Sequence, residues 1–201
     1  NDLPCPPSLV DVTKLTEFVE EVGFPLIVKP RRGARSRGVS LVRGQEELAA
    51  ALRTAGPEPI VQRAEGTEAG EYTCGAVVVD GTCLGTIVMR RDLRDGNTYR
   101  AYIESWPSLE DLTQRAALAL DPYGPVNIQL RVGRQGPSIF EVNTRFSGTT
   151  VMRALAGFND VEAVVRWVVL GERRPLIRQR TGVVLRYWEE CFLDEPTYQR
   201  I

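Results

Sequence analysis

The 201-residue sequence predicts an α+β fold on three observations. Apolar residues recur at helical spacing in several short stretches. β-rich runs meet across tight Gly-containing turns. The runs lie beside one another as hairpins, with no regular strand–helix–strand alternation of the doubly wound kind.

The elements follow in order. Asn1-Asp-Leu-Pro-Cys-Pro-Pro7 disfavours helix, so residues 1–10 read as a linker. The opening lacks an initiator Met, and the expectation is a piece of a longer protein. Leu15, Phe18, Val19 and Val22 share one helix face, and Gly23 ends that helix. Residues 24–29 form a buried strand and 38–42 its hairpin partner. Glu46 to Leu52 is a short helix, and Pro59–Gln62 a strand. Glu71–Val79 and Thr82–Met89 flank Asp80-Gly81, a strong hairpin signal. Tyr99–Ile103 is a strand. Ser108-Leu-Glu-Asp111 resembles a capping box that opens a helix to about Leu120. Residues 126–132 and 138–142 pair around Gly-Arg-Gln-Gly-Pro. Asn159 and Glu162 cap a helix whose Val161, Val164, Val165 and Val168 face the core, and Gly171 closes it as an αL cap. Gly182–Trp188 is a late strand. Trp167 and Trp188 read as packing residues, and Trp106 as an exposed residue near a substrate entrance.

Composition removes several function classes. A net charge of −1 argues against a general nucleic-acid binder. With no histidine, His-dependent zinc sites and Ser-His or Cys-His catalysis are excluded within this chain. Cys5, Cys74, Cys83 and Cys191 show no C-x-x-C spacing. Cys74 and Cys83 fall on adjacent strands, where small buried hydrophobes are the expected role. This usage fits a reducing compartment, so a cytoplasmic protein is expected. No apolar run is long enough to cross a membrane as a helix.

Two clusters carry chemistry. Lys14 and Lys29 are the only lysines among 25 basic residues, so arginine supplies the other 23. Lys29 ends the apolar run Phe24-Pro-Leu-Ile-Val-Lys-Pro30 and precedes Arg31-Arg-Gly-Ala-Arg-Ser-Arg-Gly-Val39. The lysine precedes the glycines, so this is not a P-loop. Gly33, Ser36 and Gly38 would let the hairpin loop fold over phosphates. Alone, the loop favours a solvated arginine-rich turn. Downstream, Glu141 and Asn143 stand at i and i+2 on one strand, and a turn at 133–137 places Gln129 beside them. Carboxylate and amide oxygens are what Mg²⁺ or Mn²⁺ takes, with phosphate and water completing the shell. Arg145 shares that face and can clamp a transferring phosphoryl group. Phe140 and Val142 are expected on the opposite, apolar face.

These pieces resemble the ATP-grasp superfamily, most closely its carbamoyl-phosphate-synthase large-subunit-like branch. The matching segments are 24–30, 33–38, Glu71-Tyr-Thr73, Asn127-Ile-Gln129 and Phe140-Glu-Val-Asn-Thr-Arg-Phe-Ser-Gly148, in an order spanning roughly residues 3–188. The resemblance implies two lobes whose antiparallel sheets sandwich ATP, an N-terminal lobe at 11–85, a C-terminal lobe at 86–190 and a tail at 191–201. Lys29 would hold the α- and β-phosphates, and loop 33–38 would cover the β- and γ-phosphates. Gln62, Arg63 and Ala64 would form the adenine hinge, and Glu71 would sit near the ribose or the metal. Gln129, Glu141 and Asn143 would hold Mg²⁺. Arg145 would stabilise phosphoryl or acylphosphate charge, while Arg90 or Arg91 would bind the acid or the γ-phosphate; Arg100 is a weaker candidate. Gln62-Arg63 departs from the Gln-Glu or Asp-Glu of many relatives, which shifts the ribose contact to Gln62 or Glu65.

The implied activity is a carboxylate–amine or carboxylate–thiol ligase. Its partners would be a small-molecule acid, an acceptor and an N-terminal domain of the same protein, with a homodimer allowed. A nucleotide-binding module without turnover is the rival, and a solvated α+β domain indifferent to Mg-ATP is a second.

Overall fold

The computed structural model describes residues 2–33, 36–66 and 70–187. Two antiparallel sheets divide the chain. The first has the order β1-β4-β2-β3, built from β1 (Ser8–Leu9), β2 (Leu26–Pro30), β3 (Ser40–Val42) and β4 (Pro59–Arg63). Helices α1 (Leu15–Val22) and α2 (Gln45–Ala55) cover one of its faces. Leu26, Val28, Val42 and Val61 meet Phe18, Leu48 and Ala51 there as a closed apolar core. Alternation along β2 sends Ile27 and Lys29 to the other face. The region expected to be linker contributes β1, whose Ser8 and Leu9 pair with Gln62 and Val61. Its prolines, Pro4, Pro6 and Pro7, precede this two-residue strand.

The second sheet has the order β10-β7-β6-β5-β8-β9. Its strands are β5 (Glu71–Val79), β6 (Thr82–Arg94), β7 (Asn97–Ile103), β8 (Gly124–Gly133), β9 (Gly136–Asn143) and β10 (Gly182–Leu185). The sheets part between Arg63 and Glu71. The expected lobe division at 85/86 falls instead inside the continuous strand β6, because the Asp80-Gly81 hairpin keeps β5 and β6 in one ladder. Helix α3 (Pro107–Leu120) covers the back face, packing Leu109, Leu112 and Ala116 on Cys74, Ala76, Ile128 and Leu130. Trp106 joins this core edge-on to Tyr72, with ring centroids 5.4 Å apart, so it is a packing residue rather than an exposed one. The expected capping box at Ser108–Asp111 does not form: the helix opens one residue earlier at Pro107, and Glu110 Oε1 accepts from the Trp106 N–H at 3.5 Å.

The front face is covered at one end by α4 (Thr150–Leu155) and α5 (Asp160–Leu170). Met152, Ala156 and Phe158 pack on Ile87, Met89 and Ile103, and Trp167 packs on Val77 and Val79. Asn159 caps α5 by accepting from the Glu162 N–H, and Gly171 adopts the αL cap as expected. The core-facing residues of α5 are Asp160, Ala163 and Trp167, with Val164 partly buried. Val161, Val165 and Val168 are exposed, contrary to expectation. A helix apolar on most sides gives periodicity little to choose from, and here the large indole and a buried ion pair set the face. Cys74 and Cys83 are free thiols and do not face each other: Cys74 pairs with Val88, and Cys83 with Val78. Trp188 and Cys191 lie outside the described residues.

Candidate active site

The uncovered end of the front face faces the first sheet. Ladder register places the functional residues in rows: Arg91 opposite Glu71, Glu71 opposite Arg131, Gln129 opposite Glu141, and Asn127 opposite Asn143. A bulge between Gln129 and Leu130 leaves Phe140 as the extra residue of β9. The bulge breaks the alternation that predicted an apolar Phe140–Val142 face. The Phe140 ring lies 5.6 Å from Lys29 Nζ and 5.1 Å from the Arg131 guanidinium.

Lys29 Nζ donates to the Phe140 carbonyl at 2.9 Å, joining the two sheets beside Glu141. Burial lowers its pKa; the Glu141 charge opposes that effect and Arg131 adds to it. A half-buried ammonium with a lowered pKa is poised to gain from an anionic ligand.

Glu71 is held by two arginines. Its Oε1 accepts from Arg91 at 2.5 Å and its Oε2 from Arg131 at 2.9 Å. Arg91 also donates to Gln129 Oε1 at 2.7 Å. Gln129 Nε2 and Asn143 Nδ2 both donate to Glu141 Oε1, at 3.3 and 2.7 Å. Arg145 donates to Asn143 Oδ1 at 3.3 Å and to the Phe146 carbonyl at 3.1 Å. Gln129, Glu141, Asn143 and Arg145 therefore converge as expected. Arg131 was missed, although its i+2 spacing from Gln129 signals the shared face.

Of the two adjacent arginines, Arg91 joins this cluster. Arg90 pairs with Tyr72 on the back face, where its guanidinium lies 3.7 Å from the centroid of the Tyr102 ring. The expected role for Arg90 therefore does not fit its position: consecutive strand residues point to opposite faces. Arg100 shares that back face, where it donates to the Tyr102 hydroxyl, which donates to Asp92.

At the candidate hinge, the Arg63 N–H donates to the Pro7 carbonyl and the Ala64 N–H to the Pro25 carbonyl. These two donors are already used within the fold. The Gln62 side chain donates to Ser8 Oγ at 2.9 Å. Arg63 donates to Glu65 at 2.8 Å and to Gln135 at 3.3 Å, reaching the β8–β9 turn of the second sheet. A cavity of about 250 Å³ opens here, lined by Arg63, Ala64, Glu65, Gly66, Arg134 and Gln135.

The phosphate-loop candidates Gly33 and Ser36 lie exposed beyond Lys29. Ser36 has φ +54°, and its carbonyl accepts from the Val39 N–H. Gly38 has φ +73°, and an added Cβ would meet Pro30 Cγ at 2.8 Å, so only glycine fits.

A carboxylate between two amides suits a hard divalent cation, so Glu141, Asn143 and Gln129 fit Mg²⁺. Among the described residues no cluster of three or more Cys, Asp or Glu side chains assembles, which leaves phosphate oxygens and water to complete a shell. Burial pushes the Cys74 thiol up to about 11, and it faces the back core.

Two antiparallel sheets, with a lysine, an arginine–carboxylate row and a cavity where they meet, make up a two-lobed α+β protein. A family model described as "ATP-grasp in the biosynthetic pathway with Ter operon" matches residues 64–191, more than half of the chain. The chain belongs to the ATP-grasp superfamily. It is 28% identical over 160 residues to D-alanine--D-alanine ligase of Bacillus anthracis, covering 69% of this chain and 51% of that one. Its fold matches carboxyaminoimidazole ribonucleotide synthase from Aspergillus clavatus complexed with ATP, with TM-score 0.76, 15% identity, and 91% and 52% of the two chains covered. It also matches the biotin carboxylase domain of the Hydrogenobacter thermophilus 2-oxoglutarate carboxylase in complex with MgADP, with TM-score 0.69, 21% identity, and 90% and 46% covered. The chain spans about half the length of these relatives. Among the described residues, no helix is long and apolar enough to cross a membrane.

Proposed function

We propose that this chain forms the ATP-handling part of a ligase that activates a carboxylate as an acylphosphate for attack by an amine or thiol. One observation carries the reading. Among the described residues, Lys29, Arg91, Arg131 and Arg145 gather around two carboxylates, Glu71 and Glu141, on facing surfaces of two sheets. Such a cleft holds surplus positive charge for a polyphosphate.

In this mechanism a substrate carboxylate oxygen attacks the γ-phosphorus and ADP leaves. The acceptor nitrogen or sulfur then attacks the acyl carbon, and phosphate leaves with the former carboxylate oxygen. Lys29 fixes the phosphates, and loop 33–38 covers them. Arg91 and Arg145 stabilise charge on the transferring group, while Glu71 holds Arg91 and Arg131 in place. Glu141, Asn143 and Gln129 would hold Mg²⁺, which would supply charge neutralisation on the phosphates. The hinge at 62–64 positions the base. The acid, the acceptor and an N-terminal domain that helps enclose them belong to the whole protein.

The test is acceptor-dependent ADP release by the full-length protein across acids and amines or thiols, with the acid labelled by ¹⁸O in its carboxylate. One labelled oxygen should appear in the released phosphate. Nucleotide binding with no acceptor-dependent release by any pair would favour a binding module, and release of unlabelled phosphate would overturn the acylphosphate.

A further inference from the structure

Next to the cleft row, on the same sheet face, an arginine is sealed under α4. Arg153 is completely buried. One arm donates to Asp160 Oδ2 at 3.2 Å, and the other to Asn127 Oδ1 at 2.5 Å and to the Cys74 carbonyl at 3.2 Å. Thr73 Oγ1 donates to the same Asn127 oxygen at 2.9 Å. A Cβ at Gly75 would lie 2.5 Å from Arg153 NH1, so the central strand leaves exactly enough space for the guanidinium only with glycine there.

This is a costly way to attach a helix. Arg153 Nε and Asp160 Oδ1 are buried without a hydrogen-bond partner among the described residues. An apolar pair of similar volume often serves stability as well or better. What an apolar pair cannot do is hold Asn127. Two donors on Oδ1 fix which end of that amide is oxygen and lock its rotamer. Asn127 stands opposite Asn143, and Thr73 opposite Gln129, so the network ends directly beside two of the candidate metal-binding side chains.

We propose that Arg153 is a positioning residue for the candidate active site. Through Asn127 and Thr73 it fixes the relative placement of β5 and β8 where they carry Glu71 and Gln129, and it ties that row to α4 and α5. The proposal rests on the nucleotide reading for its functional readout and on the ligand-free fold for a second one.

The experiment compares the wild type with Arg153→Met/Asp160→Met, which removes both buried charges together, and with Asn127→Leu, which keeps the ion pair. The double variant should melt within a few degrees of the wild type. Both variants should bind Mg-ADP about tenfold more weakly, the scale expected when support behind a metal ligand is lost. Combining them should add little, since they break one connection. In the ligand-free state, amide exchange at 73 and 127–129 should quicken while α3 stays unchanged. Wild-type affinity and exchange in a folded double variant would overturn the proposal, as would fully additive losses. If Arg153→Met/Asp160→Met does not fold, Asn127→Leu carries the same measurements. If the wild type itself binds no Mg-ADP, the nucleotide reading fails, and amide exchange alone decides on Arg153.

Discussion

Two arginine–carboxylate clusters stand side by side on one sheet face, and they are built to opposite ends. In the cleft, Glu71 is shared by Arg91 and Arg131, with side-chain exposures of 14, 11 and 28%. Under α4, Arg153 meets a single carboxylate, with exposures of 0 and 1%. The buried cluster is neutral, as low dielectric demands. The cleft cluster keeps unbalanced positive charge within reach of water, which a ligand can neutralise. Charge balance therefore separates the supporting cluster from the candidate working one, although residue types alone make them look alike.

The largest effect expected is on the buried side. Arg153→Ala leaves Asp160 charged and unpaired, and should destabilise the fold by about 3–5 kcal/mol. Urea denaturation measures this, and a loss below about 1 kcal/mol would mean that the pair is not sealed as described. In the cleft, Glu71→Gln replaces a carboxylate shared by two arginines with a neutral amide whose single oxygen can serve only one of them. The expected loss is smaller, about 1–3 kcal/mol, because those groups keep partial access to water. Equal losses in Glu71→Gln and Arg153→Ala would break the comparison.

Lys29→Met should act in the other direction. Burial lowers the Lys29 pKa below its ordinary 10.5, so the charged form is disfavoured in the folded ligand-free state. As pH rises through the folded pKa towards 10.5, the unfolded chain binds more protons than the folded one, and the wild type gains stability. Lys29→Met should therefore melt above the wild type near neutral pH, with an advantage that shrinks as pH climbs through that window. Scanning calorimetry across alkaline pH checks the sign. The smallest effect is expected at Arg115, whose i,i+4 pair with Asp111 is exposed; Arg115→Ala should stay within about 0.5 kcal/mol of the wild type.

The cleft cluster was more legible in the sequence than the buried one, for physical reasons. Glu141 and Asn143 are i and i+2 on a strand with a clear turn before it, so their shared face follows from the pleat. The Asp80-Gly81 hairpin likewise fixed β5 against β6. Choosing between Arg90 and Arg91 needed the register, because neighbours in a strand differ only by face. Phe140 was misplaced because nothing local announces a bulge. Arg153 was invisible: a charged residue in a short helix reads as solvated, and only the missing Cβ of Gly75 makes room for it. Its partner Asp160 reads as a first-turn acid of α5, which disguises a core residue. The β1 strand was hidden by prolines that break helix yet permit a two-residue edge pairing.

The central claim is that the surplus charge between the two sheets holds a metal-bound nucleotide. Calorimetric titration of Mg-ADP and Mg-AMPPNP into the wild type, Lys29→Ala and Glu141→Ala tests it most directly. Saturable wild-type binding is expected, lost in Lys29→Ala and insensitive to the metal in Glu141→Ala. Binding that is unchanged in Lys29→Ala, or equally metal-dependent in Glu141→Ala, would contradict it.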